Sequence, residues 1–477
     1  MKRATPLVLI LFTLSGVSGL VYELVWIRLL SQLLGGTTFA ISAVLAAFMG
    51  GLAFGSRFFG SHADATRRPL RLYAMLEIAI AILGLGVHAA IVFLKPSYVA
   101  MAQSLPEGSL SFLRVGVALL ILLPPTFFMG GTLPVLGRYI VRSSERLGRG
   151  LGLLYAVNTF GAVLGVFLAG FVFIPTLGLL YCTLLAAALN LAIAGLILLI
   201  DRGQPELDAA ARSAMDSVEA DSAPPEIHPG LLAFLFAASG FAAMGYELYW
   251  TRALDHFLGN STYAFSTMLT TFLLGLSLGG WIGGRIADRA QSPAAWLGRV
   301  QILAALTALA TVPLIWEILP RMEESAFFSS ASLNWNAYLT RRFLAALLIM
   351  AVPTLLLGMT FPLVNRIGIR GLSRLGWGIG RLYFANTLGS ILGSLAAGFA
   401  LLPLLGAKGA IIATSLLGAF IGLAAHLSNR NRGRLEPWIA GALVMGMAAA
   451  SPLMLDFGRN LLSDSQVSGD RVLFDLE

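Results

Sequence analysis

One stretch of this sequence occurs twice. The first copy begins at Ser15-Gly16, passes through Tyr22-Glu23-Leu24-Val25-Trp26-Ile27-Arg28 and ends at Ala63-Asp64. The second begins at Ser239-Gly240, passes through Tyr246-Glu247-Leu248-Tyr249-Trp250-Thr251-Arg252 and ends at Ala287-Asp288. The offset is 224 throughout, without a gap, and about twenty of the fifty positions are identical. Biased composition would produce chance Leu and Ala matches. It would not place Tyr-Glu-x-x-Trp-x-Arg twice inside apolar runs. The chain is an internal duplication, and any fold assigned to it has to be built from two like halves.

The repeat lies in a chain that is 57% hydrophobic and only 12% charged, with a mean hydropathy of +0.82. A soluble chain carries about 25% charged residues. Apolar runs of about twenty residues, the length that spans a bilayer as a helix, recur from end to end. We expect an all-α polytopic membrane protein with 12–13 transmembrane helices. Six spans fall in the first half, at 6–34, 38–60, 71–94, 112–136, 151–174 and 177–200. Six fall in the second, at 230–258, 262–284, 295–319, 341–365, 379–402 and 408–427. An additional span covers 436–455. The expected organisation is a first six-helix repeat (1–200), a Pro-containing polar linker (201–229), a second repeat (230–428), an extra helix (429–455) and a polar tail (456–477).

Six is an even number, so both halves cross in the same sense and are parallel repeats. Such halves pack about an axis along the membrane normal, the arrangement that resembles the major facilitator architecture. Placing the N-terminus inside puts 22 of the 32 Lys and Arg residues in inside segments, which selects a cytoplasmic N-terminus by the positive-inside rule. The net charge of +8 then reflects basic loops rather than a nucleic-acid partner. Cys182 is the only cysteine, and the five histidines are scattered, so neither a disulfide nor a metal site is expected. No cofactor is expected.

A carboxylate within a span is costly and by default marks a functional site, so Glu23 and Glu247 are the sharpest candidates. Arg28 and Arg252 each follow five residues later. Five residues turn a helix by about 140°, which is not an i,i+4 pairing. Even so, the recurrence of an Arg with each Glu slightly favours an ion pair over an unpaired cation or proton site. Tyr22 and Trp26 share a face four residues apart, as do Tyr246 and Trp250. They read either as part of a binding site or as an aromatic belt at the interface. Asn158-Thr159 and Asn386-Thr387 are polar pairs in apolar spans. They either line a path or, as we favour, bond across helices. Pro125, Pro134, Pro353 and Pro362 repeat between the fourth and tenth spans and predict a bend in each.

The duplication continues beyond its opening stretch. Tyr155-Ala156-Val157-Asn158-Thr159-Phe160-Gly161 matches Tyr383-Phe384-Ala385-Asn386-Thr387-Leu388-Gly389 at an offset of 228, while spans three and six show little matching. Gly55-Ser56-Arg57 with Asp64, and Gly279-Gly280 with Gly284-Arg285-Ile286-Ala287-Asp288-Arg289, look like the Gly/Asp/Arg loop motif of major facilitator transporters. The first copy departs from that motif at Ala65. In that family the loop is a conformational latch.

Taken together, the duplicated Ser-Gly…Tyr-Glu-Leu-x-Trp-x-Arg and Tyr-x-x-Asn-Thr-x-Gly motifs resemble the membrane portion of bacterial fused transporter/spermidine synthase proteins, over nearly the whole chain to about residue 455. The resemblance implies a bacterial inner-membrane protein, surrounded by lipid, with a small cationic substrate such as a polyamine. It also implies a soluble aminopropyltransferase domain after the membrane part. Arg471-Val472-Leu473-Phe474-Asp475-Leu476-Glu477 look like the opening strand of that domain, and the catalytic part has no counterpart here. Three readings stay open: a transporter-like domain, a membrane anchor for an aminopropyltransferase, and the enzyme itself without its catalytic domain. Thirteen spans with the N-terminus inside place the tail outside. A reporter that is active only after export should therefore work when fused after Glu477, and cytoplasmic activity would mean that 436–455 does not cross.

Overall fold

The computed structural model describes residues 4–34, 38–203, 225–258, 262–323, 335–429 and 436–456. Most of the expected linker, nearly all of the tail, and the segment 471–477 lie outside the described residues. Among the described residues there is no strand. The first half comprises α1 (Ala4–Leu34), α2 (Thr38–Ala65), α3 (Pro69–Ser104), α4 (Glu107–Ile140), α5 (Leu147–Leu168) and α6 (Ile174–Arg202). The second comprises α7 (Pro229–Leu258), α8 (Thr262–Arg289), α9 (Pro293–Pro313), α10 (Trp335–Gly368), α11 (Leu375–Ala396) and α12 (Leu402–Ser428). A further helix, α13 (Glu436–Asp456), packs against α12 and α9 on the outside of the second half.

Eleven helical segments are long and apolar enough to cross a membrane. Two of them, Ser144–Arg202 with 59 residues and Leu375–Ser428 with 54, are too long for one crossing. At about 1.5 Å per residue they would measure roughly 90 and 80 Å against a hydrocarbon core of about 30 Å. Each doubles back. A π turn, Ala169–Phe173 in one half and Ala397–Leu401 in the other, ends the first pass. Then Gly178 (φ 76°) and Gly406 (φ 65°) reverse the chain in a backbone region that other residues avoid. Both elements recur at the offset of 228. The duplication thus reaches the sixth span, where little side-chain identity is visible.

The internal prolines do not interrupt either helix. α4 and α10 run on as single helices through Pro124, Pro125, Pro134, Pro353 and Pro362. The threonine after Pro125 and Pro353 bonds back into its own helix, Thr126 Oγ1 to Leu122 O at 2.7 Å and Thr354 Oγ1 to Met350 O at 2.6 Å. A hydroxyl there gives a backbone carbonyl a partner in the turn that the proline disrupts.

Lipid tails are as apolar as leucine, so helices in a bilayer gain little by hiding apolar surface from one another, and close backbone packing has to supply the adhesion. Glycine stripes provide it in equivalent places. A Cβ on Gly161 would overlap the Thr13 carbonyl of α1, and one on Gly389 would overlap the Ala237 carbonyl of α7. α1 thus lies backbone to backbone on α5, and α7 on α11. The apolar cores are arranged unevenly. At the end of the bundle where the chain starts, here called proximal, one cluster joins both halves, with Phe12, Phe59 and Leu151 beside Phe236, Phe361 and Ile379. Toward the distal end there are two further clusters, one around Trp26 that also takes in Leu269 of α8, and one around Trp250 within the second half.

Gly389→Ala should destabilise the protein by about 1–3 kcal/mol, the usual cost of overpacking. Gly441→Ala on α13, where a Cβ meets open space, should change stability by less than about 0.5 kcal/mol. Thermal unfolding of the two purified variants checks this, and equal midpoints would contradict the close-packing account.

Candidate functional site

Where the two halves face each other they enclose a cavity of about 300 Å³. Its wall comes mainly from α1, α2, α4 and α5 and their equivalents α7, α8, α10 and α11. The α1 contribution follows from helical geometry. Ser15, Gly19 and Glu23 are four residues apart and form one stripe facing the cavity, and Ser239, Ala243 and Glu247 do the same on α7. Glu23 is 9% exposed and Glu247 is half-buried. They occupy equivalent positions across the cavity, close enough for the charge on one to act on the other. The residues lining the cavity include no Lys, Arg or His.

The expected pairing of each Glu with its Arg does not occur. Among the described residues neither Glu23 nor Glu247 takes part in an ion pair. Arg28 is half-buried, Arg252 is exposed, and neither lines the cavity. The five-residue step is the reason: about 140° of rotation puts the guanidinium on another face of the helix.

Tyr22, Trp26, Tyr246 and Trp250 also lie outside the cavity wall, and they form no interfacial belt. All four are at most 1% exposed, packed behind the glutamates. Each pair stacks, with ring centroids 5.0 Å apart in the first half and 5.1 Å in the second. In the second half the stack is also fastened by hydrogen bonds. Trp250 Nε1 donates to Thr311 Oγ1 of α9 at 3.0 Å, and Tyr246 donates to Ser415 Oγ of α12 at 3.1 Å. A residue next to Glu247 in sequence lies about 100° away round the helix. The aromatic pair therefore fixes the rotation of α7 while the carboxylate faces inward.

Asn158 and Asn386 do line the cavity. Asn386 also acts structurally, donating through Nδ2 to the Phe236 carbonyl of α7 at 3.0 Å. Sequence reasoning did not single out the aromatic end of the site. Tyr155 stacks on Phe361 at 4.8 Å, and Tyr383 meets the same ring edge-on at 6.4 Å. The signal was present, since Tyr155 and Tyr383 open the duplicated Tyr-x-x-Asn-Thr motif.

Proximal to the cavity, two carboxylates hold the halves together. Asp64 at the end of α2 accepts from the backbone N–H groups of Gly376 and Trp377, both at 2.8 Å, at the start of α11. Asp288 at the end of α8 accepts from Gly148 and Arg149, at 2.7 and 2.8 Å, at the start of α5. The first amides of a helix lack intrahelical partners and carry its positive end, so a carboxylate suits them. Both copies make the same contact, although Ala65 stands where the second copy has Arg289. Arg138 adds a further link, donating to the Leu372 carbonyl at 2.6 Å across the two halves.

No family model matches the sequence, and no curated protein matches it. Among solved structures the chain is similar to the human organic anion transporter MFSD10 (TETRAN), with 16% identity, a TM-score of 0.56, and coverage of 89% of this chain and 99% of that one. It is also similar to FucP, a major facilitator superfamily transporter solved in its outward conformation, with 13% identity, a TM-score of 0.50, and coverage of 88% and 99%. At these identities the likeness establishes the fold. The chain is an all-α polytopic membrane protein with the two-half architecture of major facilitator transporters.

Hydrogen bonds to a charged group are worth about 1.5–3 kcal/mol each. The double change Asp64→Asn, Asp288→Asn should therefore loosen the proximal contact. Spin labels on cysteines at the exposed positions Ser61 and Ser373, across the α2–α11 interface, should report longer and broader distances in that background. An unchanged distribution would mean that the apolar contacts alone hold this end closed.

Proposed function

We propose that the protein is a membrane transporter whose central cavity binds a small organic cation, and that a polyamine is the substrate class. The observation that carries this is the pair Glu23 and Glu247, which face one cavity whose lining contains no basic residue. A charged group without a counter-ion in a largely apolar cavity is costly, so the site favours a ligand that brings positive charge. A polyamine carries two or more ammonium groups and can meet two carboxylates at once. The aromatic rings of Tyr155, Phe361 and Tyr383 give its methylene segments apolar contact and its ammonium groups π faces. MFSD10 is an organic anion transporter, whereas two carboxylates on this cavity wall disfavour an anion. The resemblance to the membrane portion of the fused spermidine synthase proteins supports the same substrate class.

With the N-terminus cytoplasmic, as the distribution of Lys and Arg favours, the proximal end faces the cytoplasm of a bacterial inner membrane. The Asp64 and Asp288 contacts then form the inner gate. Alternation requires these contacts to break as the distal halves close. The apolar cluster that joins the halves at the proximal end, including the Tyr155–Phe361 stack, has to part in the same step.

Proteoliposome uptake of labelled spermidine and putrescine tests the reading. Glu247→Gln keeps the shape of the side chain and removes its charge. It should lower uptake by about tenfold or more, the equivalent of about 1.5–3 kcal/mol for a lost charged contact. Thermal stability should be retained, since Glu247 has no ion-pair partner to abandon. Full uptake by a folded Glu23→Gln, Glu247→Gln variant would remove the role assigned to these residues, and a folded wild type that moves neither polyamine would remove the substrate class.

A further inference from the structure

A third carboxyl group lies within the first half, on a helix that the cavity barely reaches. Glu77 of α3 is 0% exposed. Ser15 Oγ of α1 donates to its Oε1 at 2.6 Å, and its Oε2 has no hydrogen-bond partner among the described residues. Ser15 itself lines the cavity, at the proximal end of the stripe that carries Glu23. The equivalent position in the second half, at the same offset of 224, is Gln301 of α9. Gln301 is 3% exposed, and its Nε2 donates to Ser239 Oγ at 2.8 Å and to Thr360 Oγ1 at 3.2 Å. Ser239 is the counterpart of Ser15, and Thr360 that of Thr132, so one site has been built twice. One copy carries a carboxyl group and the other a carboxamide.

A carboxamide presents one donor end and one acceptor end and does not ionise. A protonated carboxyl group has the same pattern, whereas a carboxylate only accepts. We propose that Glu77 is a proton-binding site that signals its state to the cavity through Ser15. When Glu77 is ionised, Ser15 has to donate to it, and the serine oxygen offers its lone pairs to the cavity. Ser15 passes its proton to Oε1 and takes another from a hydronium ion in the cavity: the serine O–H bond breaks and is remade as an O–H bond forms on Oε1, leaving a neutral acid. The acid reproduces the Gln301 arrangement: it donates to Ser15 as Gln301 donates to Ser239, and the serine proton becomes free to turn toward the cavity. One proton bound thus reverses the polarity of one cavity-facing hydroxyl. The titratable groups acting on Glu77 are Tyr73 on its own helix and Tyr22 on α1. Of the other helices packed on α3, α4 brings Thr132 and α6 brings Asn190 to the same wall, and neither ionises. Glu23, two turns further along α1, is the other carboxyl group on this side. The charged groups Arg68, Arg138 and Asp201 belong to the proximal end. Only the step from serine polarity to transport rests on the cation-transport reading, and the proton site does not.

Infrared difference spectra of the full chain, recorded between acid and alkaline buffer, read carboxyl protonation directly and need no substrate. The wild type should show a carboxylic acid carbonyl band that Glu77→Gln loses and that Glu23→Gln and Glu247→Gln retain. Ser15→Ala should keep that band and shift it, because the hydrogen bond to Glu77 is gone. Gln301→Glu should add a further titrating band. Glu77→Gln should fold, since glutamine occupies the same site in the other half. If it does not, the Ser15 and Gln301 variants carry the same test. A Glu77→Gln spectrum identical to wild type would overturn the proton site, and an unshifted band in Ser15→Ala would overturn the link to the cavity. In vesicles, spermidine uptake by Glu77→Gln should lose its dependence on an imposed pH difference. If the wild type takes up no spermidine, the substrate class fails while the infrared result still decides the role of Glu77.

Discussion

Helices in lipid have no aqueous solvent to escape from by associating, so everything here depends on how closely their backbones approach. Where a side chain would intervene, this chain has glycine, and the same contacts appear in both halves. α1 meets α5 and α7 meets α11 through backbone carbonyls that leave no room for a methyl group. The polar consequences follow from that proximity. Asn386 reaches a carbonyl on α7 because the two helices are already in contact, and Ser15 reaches Glu77 on α3 in the same way. A looser bundle would strand each of these groups in hydrocarbon, where an unmet hydrogen bond costs several kcal/mol.

Within that frame, labour is divided around each helix rather than along it. On α7 the Tyr246–Trp250 stack is tied to α9 and α12, which fixes the angle at which Glu247 enters the cavity. The carboxylate therefore needs no ionic partner to hold its position.

The duplicated motif was enough to recover the two like helical halves and the placement of Glu23 and Glu247 on one cavity wall, because backbone approach and buried charge tolerate few substitutions. What stayed hidden had specific causes. In the sixth span the match that carries meaning is Gly178 with Gly406, because lipid-facing positions accept any apolar residue and drift, while a chain reversal with positive φ does not. The roles of Tyr22, Trp26 and Arg28 were misjudged because neighbours in sequence lie on different faces of a helix. Glu77 could be read as an acid in an apolar run, but it falls outside the repeated motifs, and its meaning emerges only beside Gln301.

The proximal contact has a further implication. Asp64 of the first half holds the start of α11 in the second, and Asp288 of the second holds the start of α5 in the first. Each half thus supplies one carboxylate and receives one. That reciprocity is the signature of an isologous interface, the kind formed by two identical subunits about a two-fold axis. A six-helix unit carrying this surface can close it with a second copy of itself, so the contact is compatible with an ancestral homodimer whose two genes joined. Joining removes a restriction that symmetry imposes. In a homodimer every side chain appears in both subunits, so an acid at the position of Glu77 would stand behind the cavity wall on both sides. In a single chain one copy can keep the carboxyl group while the other becomes Gln301.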